Sequence, residues 1–327
     1  MKNVFVTGAS GFTGGHLCSA LLKKGCTVTA LVRENSKTGL LEKNGIKLVK
    51  GDLSNPTSLK GIIKNIDVVF NIAAMYRQEV SKDMFDKVHV EGTKALLEES
   101  ISAGVKRFVH CSTVGVQGEI ENPPAQESAP YNPGDFYQVS KMEGEKLALS
   151  YFKDKKIDGV VVRPVGIYGP GDTRFLKLFK TIYKGSFKMI GTGKALYHLT
   201  FVEDLVAGII LTGEVPAASA QIYTIGGSEY LPLEDLINLI AEILDSRVSK
   251  IHIPLFPVYA AAFLCEILCK PFGIQPPLYR RRLDFFTKDR AFDISKARKE
   301  LGYSPQVSLR EGLTRTAQWY KENGLLD

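Results

Sequence analysis

Val4-Phe5-Val6 runs into Thr7-Gly8-Ala9-Ser10-Gly11-Phe12-Thr13-Gly14-Gly15 and then into an amphipathic segment ending at Lys23-Lys24-Gly25. This order reads as strand, glycine turn and helix. Gly8 allows the tight turn, Gly11 lets the backbone approach a pyrophosphate, and Gly14 lets the helix pack against the strand. Free amides at the helix start, with the side chains of Ser10, Phe12 and Thr13 around them, then face anionic oxygens. The expected ligand is a dinucleotide. The spacing is GxxGxxG rather than the common GxGxxG, and a glycine turn without a ligand is the alternative.

The chain has 327 residues, enough for one large domain with an appended lobe or for two unequal domains. Its net charge of +7 is spread along the chain without a basic stripe interleaved with aromatics, so no nucleic-acid partner is expected. Five cysteines, Cys18, Cys26, Cys111, Cys265 and Cys269, are odd in number and lack zinc spacing. They fit a reducing compartment and imply neither a metal site nor a disulfide framework. With a first strand at about residue 3, no signal segment is expected, and the expected location is the cytoplasm.

Outward from the glycine turn, Thr27 to Val32 reads as a second strand, closing with Arg33. An acidic side chain there would meet a ribose 2'-hydroxyl; Arg33 instead suits a 2'-phosphate, which favours NADP over NAD. Strand and helix patterns then alternate: Ile46 to Val49, a helix near Thr57 to Lys64, Val68 to Ile72, a helix from about Asp83 to Ala103, and Arg107 to Ser112. Such alternation implies a doubly wound parallel sheet of the α/β class, with ligands beyond the carboxyl ends of the strands. At those ends Asp52 and Leu53 could reach an adenine, Ala73 and Ala74 leave room for a cofactor, and Ser112 and Thr113 offer hydroxyls.

An irregular stretch from Glu119 to Asp135 leads into Phe136-Tyr137-Gln138-Val139-Ser140-Lys141, followed by a helix pattern from Met142 to Phe152. On a helix, Tyr137 and Lys141 share one face. An ammonium beside a phenol stabilises the phenolate and lowers its pKa, which makes Tyr137 a candidate acid/base.

With these motifs the sequence resembles the short-chain dehydrogenase/reductase superfamily, in its extended NAD-dependent epimerase/dehydratase branch. The likeness rests on the glycine turn, Tyr137-Gln138-Val139-Ser140-Lys141, Gly51-Asp52-Leu53, Val90-Glu91-Gly92-Thr93, Arg163-Pro164, Ile167-Tyr168-Gly169-Pro170-Gly171-Asp172 and Phe201-Val202-Glu203-Asp204. It also takes in Asp293-Ile294-Ser295-Lys296-Ala297 and Leu301-Gly302-Tyr303, and so covers nearly the whole chain. The resemblance implies a Rossmann fold with a smaller, mostly helical C-terminal substrate lobe. It makes Tyr137 the acid/base, and gives Lys141 the nicotinamide ribose and the tuning of the tyrosine. Thr113 holds the substrate oxygen, with Ser112 beside it, and Pro164 and Gly166 lie along the cofactor. His89 departs from the family, which usually places asparagine before Val-x-Gly-Thr; no catalytic role is assigned to it.

Thr113 is followed by Val114-Gly115 rather than the acid pair of a 4,6-dehydratase, and Gly166 stands where nucleotide-sugar members tend to carry asparagine. The sequence resembles most the 3β-hydroxysteroid/sterol dehydrogenase-like branch, and that resemblance implies a hydrophobic or steroid-like hydroxy or keto substrate. A nucleotide-sugar 4-epimerase or reductase using the same site is the alternative, and a non-catalytic dinucleotide sensor is a third reading. The dinucleotide domain is expected over 1–165, with returns near 201–226 and 289–327, and the lobe over 166–200 and 228–288. The apolar run from Ile253 to Cys269 is too short to span a membrane. It reads first as a buried lobe helix, next as a wall of an apolar substrate pocket, and third as peripheral membrane contact aided by Lys270 and Arg280 to Arg282. Helices at the sheet edge could pair two subunits.

Overall fold

The computed structural model describes every residue except 77–80, 273, 275 and 327. Six strands, β1 (Asn3–Thr7), β2 (Thr27–Val32), β3 (Lys47–Lys50), β4 (Val68–Asn71), β5 (Arg107–Cys111) and β6 (Gly159–Pro164), form the first part of the chain. The chain leaves this sheet through β7 (Gly166–Tyr168), β8 (Met189–Ile190) and β9 (Leu196–Phe201), returns as β10 (Ile222–Ile225), and continues through β11 (Tyr230–Pro232) and β12 (His252–Ile253).

The main sheet is parallel throughout, in the order β10-β6-β5-β4-β1-β2-β3. Val4 faces Val28 on one side and Val68 on the other. Alternation along β1 sends Val4 and Val6 into one core, with Leu17 and Val202, and Phe5 into the opposite core, with Leu96 and Phe108. All three are fully buried, worth about 1.5–3 kcal/mol each in apolar transfer. Helices cover both faces, the doubly wound arrangement expected from alternating apolar strands. The strand order reverses direction between β1 and β4, which opens the ligand crevice at their carboxyl ends.

Beyond the main sheet, β7, β9 and β11 form a three-stranded sheet, and β8 pairs with β12. Helices Leu176–Tyr183, Leu233–Ile243 and Leu309–Glu322 share a separate core containing Phe179, Ile237, Leu313 and Tyr320. The lobe thus carries small sheets as well as helices.

Several local expectations change. Thr57 to Lys64 is not a helix: Pro56–Leu59 makes one 3-10 turn, and the chain then reverses through Gly61 and Asn65, both at positive φ. The long helix expected from Asp83 to Ala103 is a short helix Lys82–Asp86, a π-helical turn Lys87–Glu91 and a helix Gly92–Ser102. The helix after the irregular stretch starts at Phe136, six residues earlier than its apolar pattern suggests, because Asp135 caps it through the Gln138 amide at 2.7 Å. The run containing Leu255–Cys269 is helical, yet it is not the buried lobe helix expected: Ala262 is its buried residue, while Phe256 is 82 % exposed. Among the described residues, no helix is long and apolar enough to cross a membrane.

Candidate active site

The glycine turn is built by close backbone approach. Gly8 has φ +71°, and a Cβ there would lie 2.8 Å from the Cα of Ala73. A Cβ on Gly14 would lie 2.1 Å from the Gly8 carbonyl oxygen, so glycine is what lets the helix Phe12–Lys23 start against the turn. Gly11 occupies the N-cap position with no side-chain cap, which leaves the first helical amides free for an anionic oxygen. Ser10 is exposed beside them, with Phe12 and Thr13 half-buried.

Thr7 joins this turn to the loop after β4. Its hydroxyl donates to Asn71 Oδ1 at 2.8 Å and accepts from the Ala73 amide at 3.0 Å, while Asn71 Nδ2 donates to Thr93 Oγ1 at 3.3 Å. Thr7, Asn71 and Thr93 were legible only as parts of motifs; pairing across 64 positions carries no local signal. Ala73, half-buried, and Ala74, exposed, follow in the same loop.

At the other end of the crevice, Arg33 lies exposed just past β2, with its amide donating to Ser36 Oγ at 3.0 Å. Asp52, just past β3, accepts from both the amide and the hydroxyl of Ser54 at 2.9 Å. Leu53 is buried, and its carbonyl oxygen would lie 2.4 Å from a Cβ on Gly92. Leu53 therefore sets the approach of the helix that begins at Gly92. Pro164 closes β6, and Gly166 opens β7 against Leu199, which a Cβ would meet at 2.7 Å.

Ser112 and Thr113 extend β5 to the same edge. Thr113 Oγ1 accepts from the Gly115 amide at 3.1 Å, capping the 3-10 turn Val114–Gln117. Ser112 Oγ is buried without a hydrogen-bond partner. Gly115 packs against Gln138, the neighbour of Tyr137, so the hydroxyl turn abuts the start of the tyrosine helix. Lys141, one turn along, is 2 % exposed and donates from Nζ to the Cys111 carbonyl at 2.5 Å. Burial pulls the Lys141 ammonium below its ordinary value. Burial also pushes the Tyr137 phenol above its usual range, in place of the lowering expected from Lys141, while the Arg174 guanidinium pulls the other way. Arg174 stacks over the Phe12 ring at 5.3 Å and bonds Asp172 Oδ1 at 2.6 Å, keying the lobe to the glycine turn.

His89, to which the sequence assigns no catalytic role, has contacts that no local pattern announces. It is buried on the π-helical turn, accepts the Met75 amide at Nε2 (2.9 Å), and meets Ser140 Oγ at Nδ1 (2.8 Å). Its ring packs edge-on to Tyr137 at 5.6 Å. The departure from asparagine at this position was the available signal.

A family model described as the NAD dependent epimerase/dehydratase family matches residues 4–226. The chain belongs to that family. The mouse sterol-4-alpha-carboxylate 3-dehydrogenase, decarboxylating, is 30 % identical over 97 % of this chain and 90 % of its own length. The UDP-glucose 4-epimerase of Vibrio cholerae is 28 % identical over 97 % and 95 %. The crystal structure of UDP-glucuronic acid 4-epimerase from Bacillus cereus in complex with NAD superposes with a TM-score of 0.79 at 26 % identity, covering 99 % of this chain and all of that one.

As a member of the epimerase/dehydratase family, this protein is a nicotinamide-dependent enzyme of the extended short-chain dehydrogenase/reductase type. Its own residues fit the dinucleotide: three glycines make a cradle that side chains would fill, uncapped amides face it, and an unpartnered Ser112 hydroxyl lies past β5, two strands away at the same sheet edge.

Proposed function

We propose that the protein catalyses reversible oxidation and reduction at a secondary alcohol or ketone of a hydrophobic substrate. The observation that carries this reading is Tyr137 and Lys141 on one face of a capped helix, with Lys141 bonded to the end of β5 at the same sheet edge as the glycine cradle. A dinucleotide with its pyrophosphate in the glycine cradle would supply or take up the hydride through its nicotinamide. Tyr137 donates the proton to the carbonyl oxygen in reduction and accepts it back in oxidation. Lys141, anchored on the Cys111 carbonyl, binds ribose one helical turn from the phenol. Thr113 holds the substrate oxygen, with Ser112 as its neighbour. Pro164 and Gly166 line the cofactor, Asp52 and Leu53 its adenine end, and the lobe over 166–200 and 228–288, joined in its core by Leu309–Glu322, borders the substrate.

The favoured cofactor is NADP, because Arg33, exposed directly past β2, suits a 2'-phosphate where an acidic side chain would suit a free 2'-hydroxyl. Support for an apolar substrate comes from the sterol dehydrogenase relative and from the exposed apolar helix Leu255–Cys269. Following nicotinamide absorbance against ketones, sterols and nucleotide sugars tests the reading. Tyr137→Phe is expected to lose at least about 100-fold in turnover with dinucleotide affinity unchanged. Inversion at C4 of UDP-glucose without net change in absorbance would replace the substrate reading with that of an epimerase.

A further inference from the structure

The helix Leu255–Cys269 carries one charged side chain, Glu266, and is otherwise apolar or aromatic, a pattern that ordinarily belongs inside a core. Here it lies on the surface. Phe256 is 82 % exposed, Leu264 57 % and Leu268 67 %, and Phe272 just beyond the helix is 76 % exposed. Contiguous apolar exposure of this kind marks an interaction surface.

Charge selects the partner. Residues 250–290 hold seven lysines and arginines against three acidic residues, four of the chain's seven net positive charges in one eighth of its length. The Arg280 guanidinium lies over the Phe263 ring at 5.1 Å and the Tyr259 ring at 6.0 Å, so cation and apolar side chains form one face. A second copy of the chain would set like charge against like. An anionic lipid surface accommodates both the rings and the guanidinium groups.

This face is tied to the catalytic helix. Glu266 accepts from the amide and the Nε of Arg280 at 2.7 and 2.8 Å, and the adjacent Arg281 pairs with Asp135. Asp135 caps the helix that begins with Phe136 and Tyr137. Two ion pairs thus connect the apolar helix to the start of the tyrosine helix.

We propose that Leu255–Cys269, with Phe272 and Arg280 to Arg282, is a peripheral docking surface for an anionic bilayer, from which an apolar substrate passes to Tyr137. The lipid surface goes beyond the proposed reaction; the passage of substrate rests on it. A substrate dissolved in lipid would then reach the site without crossing water, and the fifteen-residue helix would lie along the interface rather than span it.

Flotation of the full-length protein with phosphatidylcholine vesicles, with and without phosphatidylglycerol, tests the docking without any turnover. The protein is expected to float with the anionic vesicles and to be released by high salt. Phe256→Ser/Leu264→Ser/Leu268→Ser should stay at the bottom while keeping the wild-type melting temperature and dinucleotide affinity. Arg282→Glu, which leaves the apolar face intact, should weaken binding by on the order of fivefold or more. Wild-type protein at the bottom of every gradient overturns the proposal. So does a dimer in sedimentation velocity that the triple variant abolishes while no flotation occurs. Delivery is read separately: the triple variant should turn over a water-soluble ketone normally and a vesicle-embedded ketone poorly, and equal rates on both overturn it. Loss of the tyrosine reading would show instead as turnover surviving Tyr137→Phe, with flotation unaffected.

Discussion

His89 Nδ1 lies 2.8 Å from Ser140 Oγ, and that hydroxyl in turn donates to the Tyr137 carbonyl at 2.9 Å. Because Nε2 accepts the Met75 amide, the neutral ring carries its proton on Nδ1 and donates to the serine. One imidazole therefore fastens the loop after β4 to the first turn of the tyrosine helix. His89→Leu breaks both hydrogen bonds and is expected to cost on the order of 1–3 kcal/mol for each group left unpaired, read from urea midpoints. It should lower kcat more than it raises KM. His89→Asn, whose amide can both accept and donate, should restore most of kcat; a kcat equal to that of His89→Leu would leave the histidine a packing role only.

The same residue sets part of the acid response. Burial, then the nearby Lys141, hold the His89 pKa down at about 3 against 6.5 for the free side chain. Between those values the unfolded chain binds a proton that the folded one refuses, so stability falls as pH drops from 6.5 toward 3. Denaturation midpoints of His89→Asn are expected to fall less steeply than those of the wild type across that window.

Arg163 and Glu145 form a buried pair, 1 % and 0 % exposed, in which Nη2 lies 2.6 Å from Oε1. Tyr131 adds a bond to the same oxygen at 2.8 Å, so the tyrosine helix is pinned to β6 by charge as well as packing. Removing one partner strands the other: Glu145→Gln should cost about 3–5 kcal/mol in unfolding free energy, whereas a joint replacement by apolar residues of similar volume should cost less. Equal losses in the two variants would refute the argument.

What was readable in the sequence was what covalent geometry and short-range spacing dictate. A positive φ at Gly8, the collision that a side chain at Gly14 would cause, and the one-turn offset of Tyr137 and Lys141 are all local demands. Buried parallel strands such as Val4 to Val6 declare themselves by apolar runs bounded by glycine. The helix near Thr57 failed because a short apolar run does not distinguish a turn from a helix, and Gly61 breaks the pattern. His89 and the β4 loop were hidden because their partners lie 14 and 51 positions apart. The apolar helix was placed in the core because hydropathy records what a side chain prefers and not whether the fold covers it.

Arg33 gives a direct test of cofactor choice. Its guanidinium stands at the end of β2, exposed, beside a backbone amide already satisfied by Ser36. A 2'-phosphate would gain a charge-assisted bond worth roughly 1.5–3 kcal/mol. Arg33→Ala is thus expected to weaken NADPH binding by about 10- to 100-fold while NADH affinity holds, as measured by fluorescence titration. An unchanged ratio would remove Arg33 from the phosphate.

Gly14→Ala probes the cradle itself. The added methyl would sit 2.1 Å from the Gly8 carbonyl oxygen and 2.9 Å from the Ala9 Cα, both backbone atoms that no side-chain rotation can clear. Either the helix Phe12–Lys23 retreats from β1 or the turn deforms, at a cost of about 1–3 kcal/mol as for other overpacked sites. In both cases the free amides at the helix start move off the pyrophosphate position, so dinucleotide affinity should fall by more than stability alone explains. Gly15→Ala, one residue on, meets its nearest neighbour at an ordinary 3.6 Å and should bind as the wild type does. Calorimetric titration of the two variants side by side separates a cradle held by close packing from a glycine run that merely tolerates its ligand.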